Sequence, residues 1–387
     1  MDKWIGCSLE HPTAQLEFIF ETNLQLQLYF IKQIVCQRCI WYIYTRGQKN
    51  LPIRQEAIMT IYDIAELAGV SASTVSRVIN NKPGIKASTR EKVKALLKEH
   101  NYTPDENARG LVNKNTRLIG ILLADIRSAH HTDLTYAVEK YLRQKGYCGI
   151  ILNAGSHAGE MIEAIRILEQ RRVDGVLIVG SVFQNDTVEN GIKEHFSNIP
   201  VVFANGQFDL PNVYCVLADE CDGVEHCVDL LVKKQREQIA FVGTGDTPSS
   251  REKIKGFKRA MSRYGHSEAS LVILDCEASR ESGYQITRQL IGGYPDIRGV
   301  IYSEDLIAAG GMRAFWDAGI QIPEEMAVIG IDNTIYGELC CPRFTSLDNK
   351  MTEMSSEAAR ILIDAIEGRQ NPRKIMLLSD IVEREST

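Results

Sequence analysis

The sequence predicts an α/β fold in two parts: a compact set of three helices containing a helix-turn-helix, then two lobes built on doubly wound parallel sheets. Three observations predict it. Between residues 59 and 103, three short amphipathic segments are punctuated by helix caps and turns. From Arg117 onward, nine apolar runs alternate with stretches long enough for helices, the pattern of parallel strands covered on both faces. Charge is also unevenly placed: residues 59–117 hold ten Lys or Arg against six Asp or Glu, +4 in a chain of −6, so the remainder is strongly acidic.

A chain of 387 residues, 44% hydrophobic and 24% charged, has ample material for the cores of two or three domains and is neither disordered nor fibrous in composition. Its ten cysteines show no spacing that suggests a disulfide framework, which points to a reducing cytoplasm. Cys36 and Cys39 form a C-x-x-C, but a zinc site needs four ligands and no second pair stands at a suitable distance, so no metal is expected.

Residues 1–58 do not read like the rest. Their apolar run from Leu16 to Tyr44 is interrupted by Glu17, Glu21, Lys32 and Arg38 and falls short of the ~20 residues a membrane span needs. No secretory signal pattern is present either. Gln55, Glu56 and Ala57 precede Ile58 and Met59, and codons for them can spell a purine-rich ribosome-binding sequence just before an ATG. We expect Met59 to be the start and the leader to be translated upstream sequence; leader peptides in protein from the native host would overturn this.

The first helix follows from Thr60 and Asp63 as caps and from Ile61, Ile64, Ala65 and Ala68 at helical spacing, with Gly69 ending it. Ser71 caps the second, in which Val75, Val78 and Ile79 face inward and Ala72, Ser73, Ser76, Arg77 and Asn80 face outward. Pro83 and Gly84 mark a turn, and Ser88 with Glu91 reads as a capping box opening a third helix that buries Val93, Leu96 and Leu97. Two helices joined by a tight Gly-Val-Ser turn are a helix-turn-helix, whose second helix enters the major groove of DNA. Small residues at Ala72 and Ser73 permit close approach, and Arg77 can reach a guanine or a phosphate. The local excess of positive charge agrees.

The stretch from Thr60 to Leu111, "TIYDIAELAGVSASTVSRVINNKPGIKASTREKVKALLKEHNYTPDENARGL", resembles the headpiece of the lactose repressor/galactose repressor family of bacterial transcription regulators, and the similarity runs on to the "VERES" ending. The resemblance implies DNA contacts from Thr60, Tyr62, Ser71, Ala72, Ser73, Thr74, Ser76, Arg77 and Asn80. Residues 104–116 become a hinge helix and linker. Thr103, Pro104 and Glu106 supply its capping signals independently, for a helix over 104–112 too short to be stable alone. In the family this hinge folds on operator DNA, implying contacts from Asn107 and Arg109 and a minor-groove wedge at Leu111. Gly110 departs from good helix formers and costs about 1 kcal/mol relative to alanine.

The nine apolar runs end in polar residues, among them Asp125, Asn153, Asn205, Asp219, Asp275, Glu304 and Asp332, and ligands of such sheets sit beyond the carboxyl ends of strands. Enzyme readings fail on motif. "VGTGDTPSS" lacks the third glycine of a dinucleotide fingerprint, no Walker sequence or G-x-S-x-G elbow occurs, and the eight histidines are scattered. No cofactor is expected.

For residues 117–387 the resemblance implies a periplasmic-binding-protein-like, two-lobed domain that closes on a small effector, most often a sugar or sugar derivative. By position the effector bed is Asp125, His130, His131, Asn205, Arg251, Lys253, Glu304 and Asp332. Two departures bear on the ligand: Ser128, Ala129, His130 and His131 stand where the family usually has N-P-F-F, and Lys253 stands where it usually has arginine. Losing two phenylalanines removes stacking surface for a sugar ring. The chain should cross between lobes near 216–219, 347–350 and 376–379. A homodimer is expected because two headpieces must be held on a symmetric operator. The chain so read is a sequence-specific DNA-binding regulator, most simply a repressor of carbohydrate utilisation. Two other readings stand beside it: a global regulator worked by a protein partner, and a sugar-binding transport protein, which would need an export signal and no headpiece.

Overall fold

A computed structural model describes residues 59–100, 102 and 115–387. The leader, with Cys36 and Cys39, and the hinge positions Asn107, Arg109 and Leu111 lie outside the described residues. The described residues fall into two compact units, 59–102 and 115–387.

The smaller unit holds three helices: α1 (Ile61–Ala68), α2 (Ala72–Ile79) and α3 (Ala87–Glu99). Ile64, Ala65, Ala68, Val75, Val78 and Val93 form its core, with Leu96, Leu97 and Ile79 only partly buried around it. Thr60 and Asp63 close the expected capping box at α1, and Gly69 ends the helix at φ +69°, a left-handed conformation that glycine adopts without a Cβ penalty. The start of α3 differs from expectation. The helix begins at Ala87 after Lys86, and no side chain caps it, so the Ser88–Glu91 box does not form. Once Ser88 lies inside the helix it can no longer act as N-cap.

The larger unit is two lobes of one design. Lobe 1 holds β1 (Leu118–Leu123), β2 (Cys148–Asn153), β3 (Gly175–Val179), β4 (Val201–Ala204), β5 (Val213–Ala218) and β11 (Lys374–Leu377), in the order β11-β5-β4-β3-β1-β2. Lobe 2 holds β6 (Ile239–Thr244), β7 (Val272–Cys276), β8 (Gly299–Tyr302), β9 (Ala327–Ile331), β10 (Thr345–Asp348) and β12 (Asp380–Val382), in the order β12-β10-β9-β8-β6-β7. All pairings are parallel except β10 with β12. All nine apolar runs became strands.

Helices cover both faces. In lobe 1, α4 (Ala129–Gln144) and α12 (Met351–Ile366) pack on one face through Leu134, Val138 and Leu362, while α5 (Ala158–Gln170) and α6 (Asp186–His195) pack on the other through Ile165, Leu168 and Ile192. In lobe 2, α7 (Glu220–Lys233) and α8 (Pro248–Arg263) contribute Val228, Leu231 and Phe257 to one face, and α9 (Arg280–Gly293) and α10 (Asp305–Asp317) contribute Leu290 and Phe315 to the other; α11 (Ile335–Leu339) completes the lobe. The chain passes between sheets after β5, after β10 and between β11 and β12, the three crossings the sequence predicted. In both lobes the first strand of the fold lies between its second and third, so each sheet has a topological switch point where crevices open.

Candidate functional site

Helix α2 presents a polar face for its size. Ser71 accepts a hydrogen bond from the Thr74 backbone N–H, and its hydroxyl lies 2.8 Å from that of Ser73 and 3.0 Å from that of Thr74. Ser73, Arg77 and Asn80 are exposed, whereas Ala72, assigned outward from the sequence, is half-buried against the core. The reason is local: Ala72 precedes buried Val75 by three residues and shares its face. Arg77 is engaged too, its Nη2 donating to the Pro83 carbonyl at 3.2 Å. Asn80 donates to the Ser76 carbonyl at 2.9 Å. Tyr62 is 74% exposed and Thr60 is exposed but occupied in its cap, so both sit on accessible surface of the first helix.

A second site lies between the lobes, in a cavity of about 1010 Å³. Its walls come from the strand ends at both switch points: Asp125 after β1 and Ser181 after β3 in lobe 1, Thr244 of β6 and Glu304 after β8 in lobe 2. Of the eight positions expected in the effector bed, Asp125, His130, His131, Asn205, Lys253, Glu304 and Asp332 line the cavity. Arg251 does not. Its half-exposed side chain pairs with Asp246 at 2.6 Å, because its place on α8 points away from the cleft while Lys253 points in. Among the other strand-end candidates Asp275 lines the cavity, but Asn153 accepts from the Ile126 N–H and Asp219 caps α7, so neither contributes to the walls.

Charge in the cleft is arranged in buried pairs. Lys253 and Glu220, 8% and 5% exposed, lie 3.4 Å apart, and Lys253 also donates to the Ser303 carbonyl at 3.0 Å. Burial works against the ammonium, but the carboxylates of Glu220, Asp332 and Glu304 outweigh it and hold its pKa above the ordinary range. Asp332 accepts from Asn349 at 3.0 Å and faces His130 Nδ1 at 3.4 Å. Burial penalises its charge, yet His130 and Lys253 prevail and keep its carboxyl well below the usual range. His130 correspondingly rises despite burial, drawn up by Asp332. Its contact with Asp332 lacks hydrogen-bond alignment, so it is an ion-pair contact without a formed hydrogen bond.

His131 behaves oppositely. Burial and the neighbouring His130 push it down to about 4, and its Nδ1 donates to the Asp125 carbonyl at 3.1 Å, leaving the ring neutral. Asn205 and Asp332 stand at φ +61° and +100°, conformations that short polar side chains tolerate better than most. Thus both cleft residues turn the chain at a strand end and present a polar group at once.

Sequence reasoning missed several lining residues. Glu220 follows Asp219 directly and receives hydrogen bonds from Ser249 Oγ at 2.6 Å and Asn205 Nδ2 at 3.3 Å; only the cap made by Asp219 decides which of the two acids turns inward. Ser181 Oγ accepts from the Ser249 N–H at 3.2 Å across the lobes. Thr244 donates to Glu304 at 2.8 Å. Strand-end position is the signal that could have found Thr244. No comparable signal marks Ser249.

Among the described residues no group of His, Cys, Asp or Glu could hold a metal ion, and no helix is long and apolar enough to cross a membrane. Among the described residues that line the cavity there is no Phe, Tyr or Trp.

Comparison with known proteins adds the following. Residues 60–105 match the family described as bacterial regulatory proteins, lacI family, and residues 228–387 match the periplasmic binding protein-like domain. The chain is 28% identical over 331 residues to the ribose operon repressor of Halalkalibacterium halodurans, covering 85% of this chain and 97% of that protein. It is also similar to the crystal structure of the lac repressor dimer bound to operator and the anti-inducer ONPF, with a TM-score of 0.77, 25% identity, and 85% and 99% of the two chains covered. A regulator from Enterococcus faecium with bound ribose matches at a TM-score of 0.63 and 27% identity, over 70% of this chain and 98% of that one.

Proposed function

The chain belongs to the lacI family of bacterial regulatory proteins, and on that premise we propose that it is a homodimeric repressor of carbohydrate utilisation, working in the cytoplasm and switched by a small sugar-like effector in the cleft. The observation that carries this reading is the cleft itself: two facing switch points whose polar strand ends converge on one cavity, in a chain that also bears a helix-turn-helix. Nothing in the site suggests catalysis. The carboxylates of Asp125, Glu220, Glu304 and Asp332 are paired or hydrogen-bonded, and a carboxylate can accept from two sugar hydroxyls.

The effector acts by bridging lobes that already touch. His130 to Asp332, Ser249 to Ser181 and Asn205 to Glu220 connect elements of the two lobes, and a ligand between them shifts the balance of lobe arrangements by its differential affinity. Lobe 1 also holds the incoming chain: Asp174 accepts from the Thr116 and Arg117 backbone N–H groups at 2.8 and 2.7 Å. Rearrangement of lobe 1 therefore pulls on the linker leading from the headpiece, and a coupling of about 1–3 kcal/mol is ordinary for such linkage. DNA contacts come from the exposed polar residues of α2, with Arg77 leaving Pro83 to reach DNA, and from the hinge positions Asn107, Arg109 and Leu111.

Fluorescence anisotropy on a palindrome from the protein's own promoter, against scrambled DNA and with sugars added, tests the reading. Tight selective binding that a sugar shifts supports it. Selective binding that no sugar shifts turns it toward a protein partner, and absence of selectivity removes the regulator.

A further inference from the structure

The acids of the cleft are not equally served. Glu220 has Lys253, Asp332 has His130, and Asp125 holds Arg127 at 2.6 Å. Among the described residues, Glu304 has only the Thr244 hydroxyl as a hydrogen-bond partner. The charges of Lys253 and His130 reach it, but both are committed to other carboxylates at shorter range. The remaining lining cations stand at the mouth: Arg127 is 87% exposed and Arg280 is 62% exposed. Asp275, exposed on the neighbouring strand end, adds a second carboxylate to the same wall.

We propose that the effector carries a protonated amine on a polyol frame, an amino sugar in the simplest case, and that Glu304 recognises the ammonium group. This rests on the reading of the cleft as a sugar site and makes its chemistry specific. Burial and the Asp332 charge raise the Glu304 pKa, as expected of a carboxylate that lacks its counter-ion. Cys276 lies in the same wall, where burial and then the charges of Asp275, Glu304 and Glu277 push its thiol up to about 11. Ser250, 4% exposed in the cavity wall, has a hydroxyl with no hydrogen-bond partner, a free group for a ligand oxygen or nitrogen. A neutral hydroxyl in place of the amine would leave Glu304 buried without a cation in direct contact, and a phosphate would meet a carboxylate that has no ion-pair partner. The absence of aromatic rings from the lining agrees, since recognition then depends on charge and hydrogen bonds and not on stacking.

Isothermal titration of the full chain at pH 7 tests this, using glucose, galactose and mannose, each beside its 2-amino-2-deoxy and N-acetylamino forms, with glucose 6-phosphate as the anionic probe. At least one amino sugar should bind ten times or more tighter than both its neutral relatives. Glu304→Gln should reduce that preference to within twofold. Asp275→Asn, at an exposed position that folding tolerates, should weaken amine binding two- to fivefold. Equal binding of amine and neutral forms, tighter binding of the phosphate, or an amine preference that survives Glu304→Gln each overturns the proposal and leaves the sugar-sensor reading standing. Failure of every probe to bind would overturn the sugar-sensor reading and this inference with it.

Discussion

His130 and His131 are adjacent in sequence and opposite in chemistry. Asp332 draws the first up; burial and the first push the second down to about 4. The sign of the pH dependence follows. Above its ordinary value of 6.5, His131 is neutral in folded and unfolded chains alike; as pH falls from 6.5 toward 4, the unfolded chain takes up a proton that the folded one refuses. Stability carried by His131 is therefore present above 6.5 and lost below it, by up to about 3 kcal/mol at about 1.4 kcal/mol per pKa unit. Urea unfolding at a series of pH values should show His131→Asn with a flatter decline than the parent across this window; parallel curves would refute it. Arg77→Ala should lower operator affinity by about 1–3 kcal/mol and random-DNA affinity less, if the side chain reads guanine. Equal losses on both DNAs would limit it to phosphate contact. These two residues differ in legibility. Arg77 was visible as a cation on an outward helical face, whereas nothing adjacent to His131 in sequence announces its burial.

At the scale of elements, caps and close packing decide. Thr60→Ala removes the hydroxyl that accepts from the Asp63 N–H, leaving only the Thr60 N–H to Asp63 carboxylate half of the α1 capping box, and should cost the headpiece about 1 kcal/mol, read as faster amide exchange in α1 of the intact chain. Unchanged protection would show that tertiary packing alone holds the helix. Helices α9 and α10 cross where glycines allow backbone contact. A Cβ on Gly310 would overlap the Arg280 carbonyl, and one on Gly283 would overlap the Ile307 backbone. Alanine at Gly310 improves helix propensity by about 1 kcal/mol, yet overpacking against main chain should reverse that and destabilise by about 1–3 kcal/mol. A higher urea midpoint for Gly310→Ala would contradict the packing argument. The periodicity of α1 and α2 was readable in the sequence because their cores are built from residues three and four apart. The onset of α3 was not, since Ala87, Ser88 and Thr89 can each begin a helix and contacts elsewhere choose among them.

For the whole molecule, the buried Lys253–Glu220 pair is the test of how the lobes are joined. Glu220 starts α7 at the first crossing, holds Asn205 of lobe 1 and receives Ser249 of lobe 2. Glu220→Ala strands a buried ammonium and should cost about 3–5 kcal/mol in calorimetry. Adding Lys253→Met should restore most of that loss. A single variant as stable as the parent would show that Lys253 finds water or another acid. Deletion of the carboxylate should also loosen the lobes, seen as a larger radius of gyration by small-angle scattering.

The sequence by itself determined the alternation of strand and helix and the helix-turn-helix, and its family resemblance supplied the three crossings and seven of the residues that line the cleft. Strand-end polarity and helical period are local properties, written within a few residues. Tertiary structure alone decided which polar strand-end residues face the cavity: Asp332 and Glu304 do, while Asn153 and Asp219 are used up by neighbouring backbone groups. It also decided which acids received a cation. Pairing, burial and the field at a carboxylate depend on groups brought together from distant parts of the chain, as with His130 and Asp332, and no spacing along the sequence records that meeting.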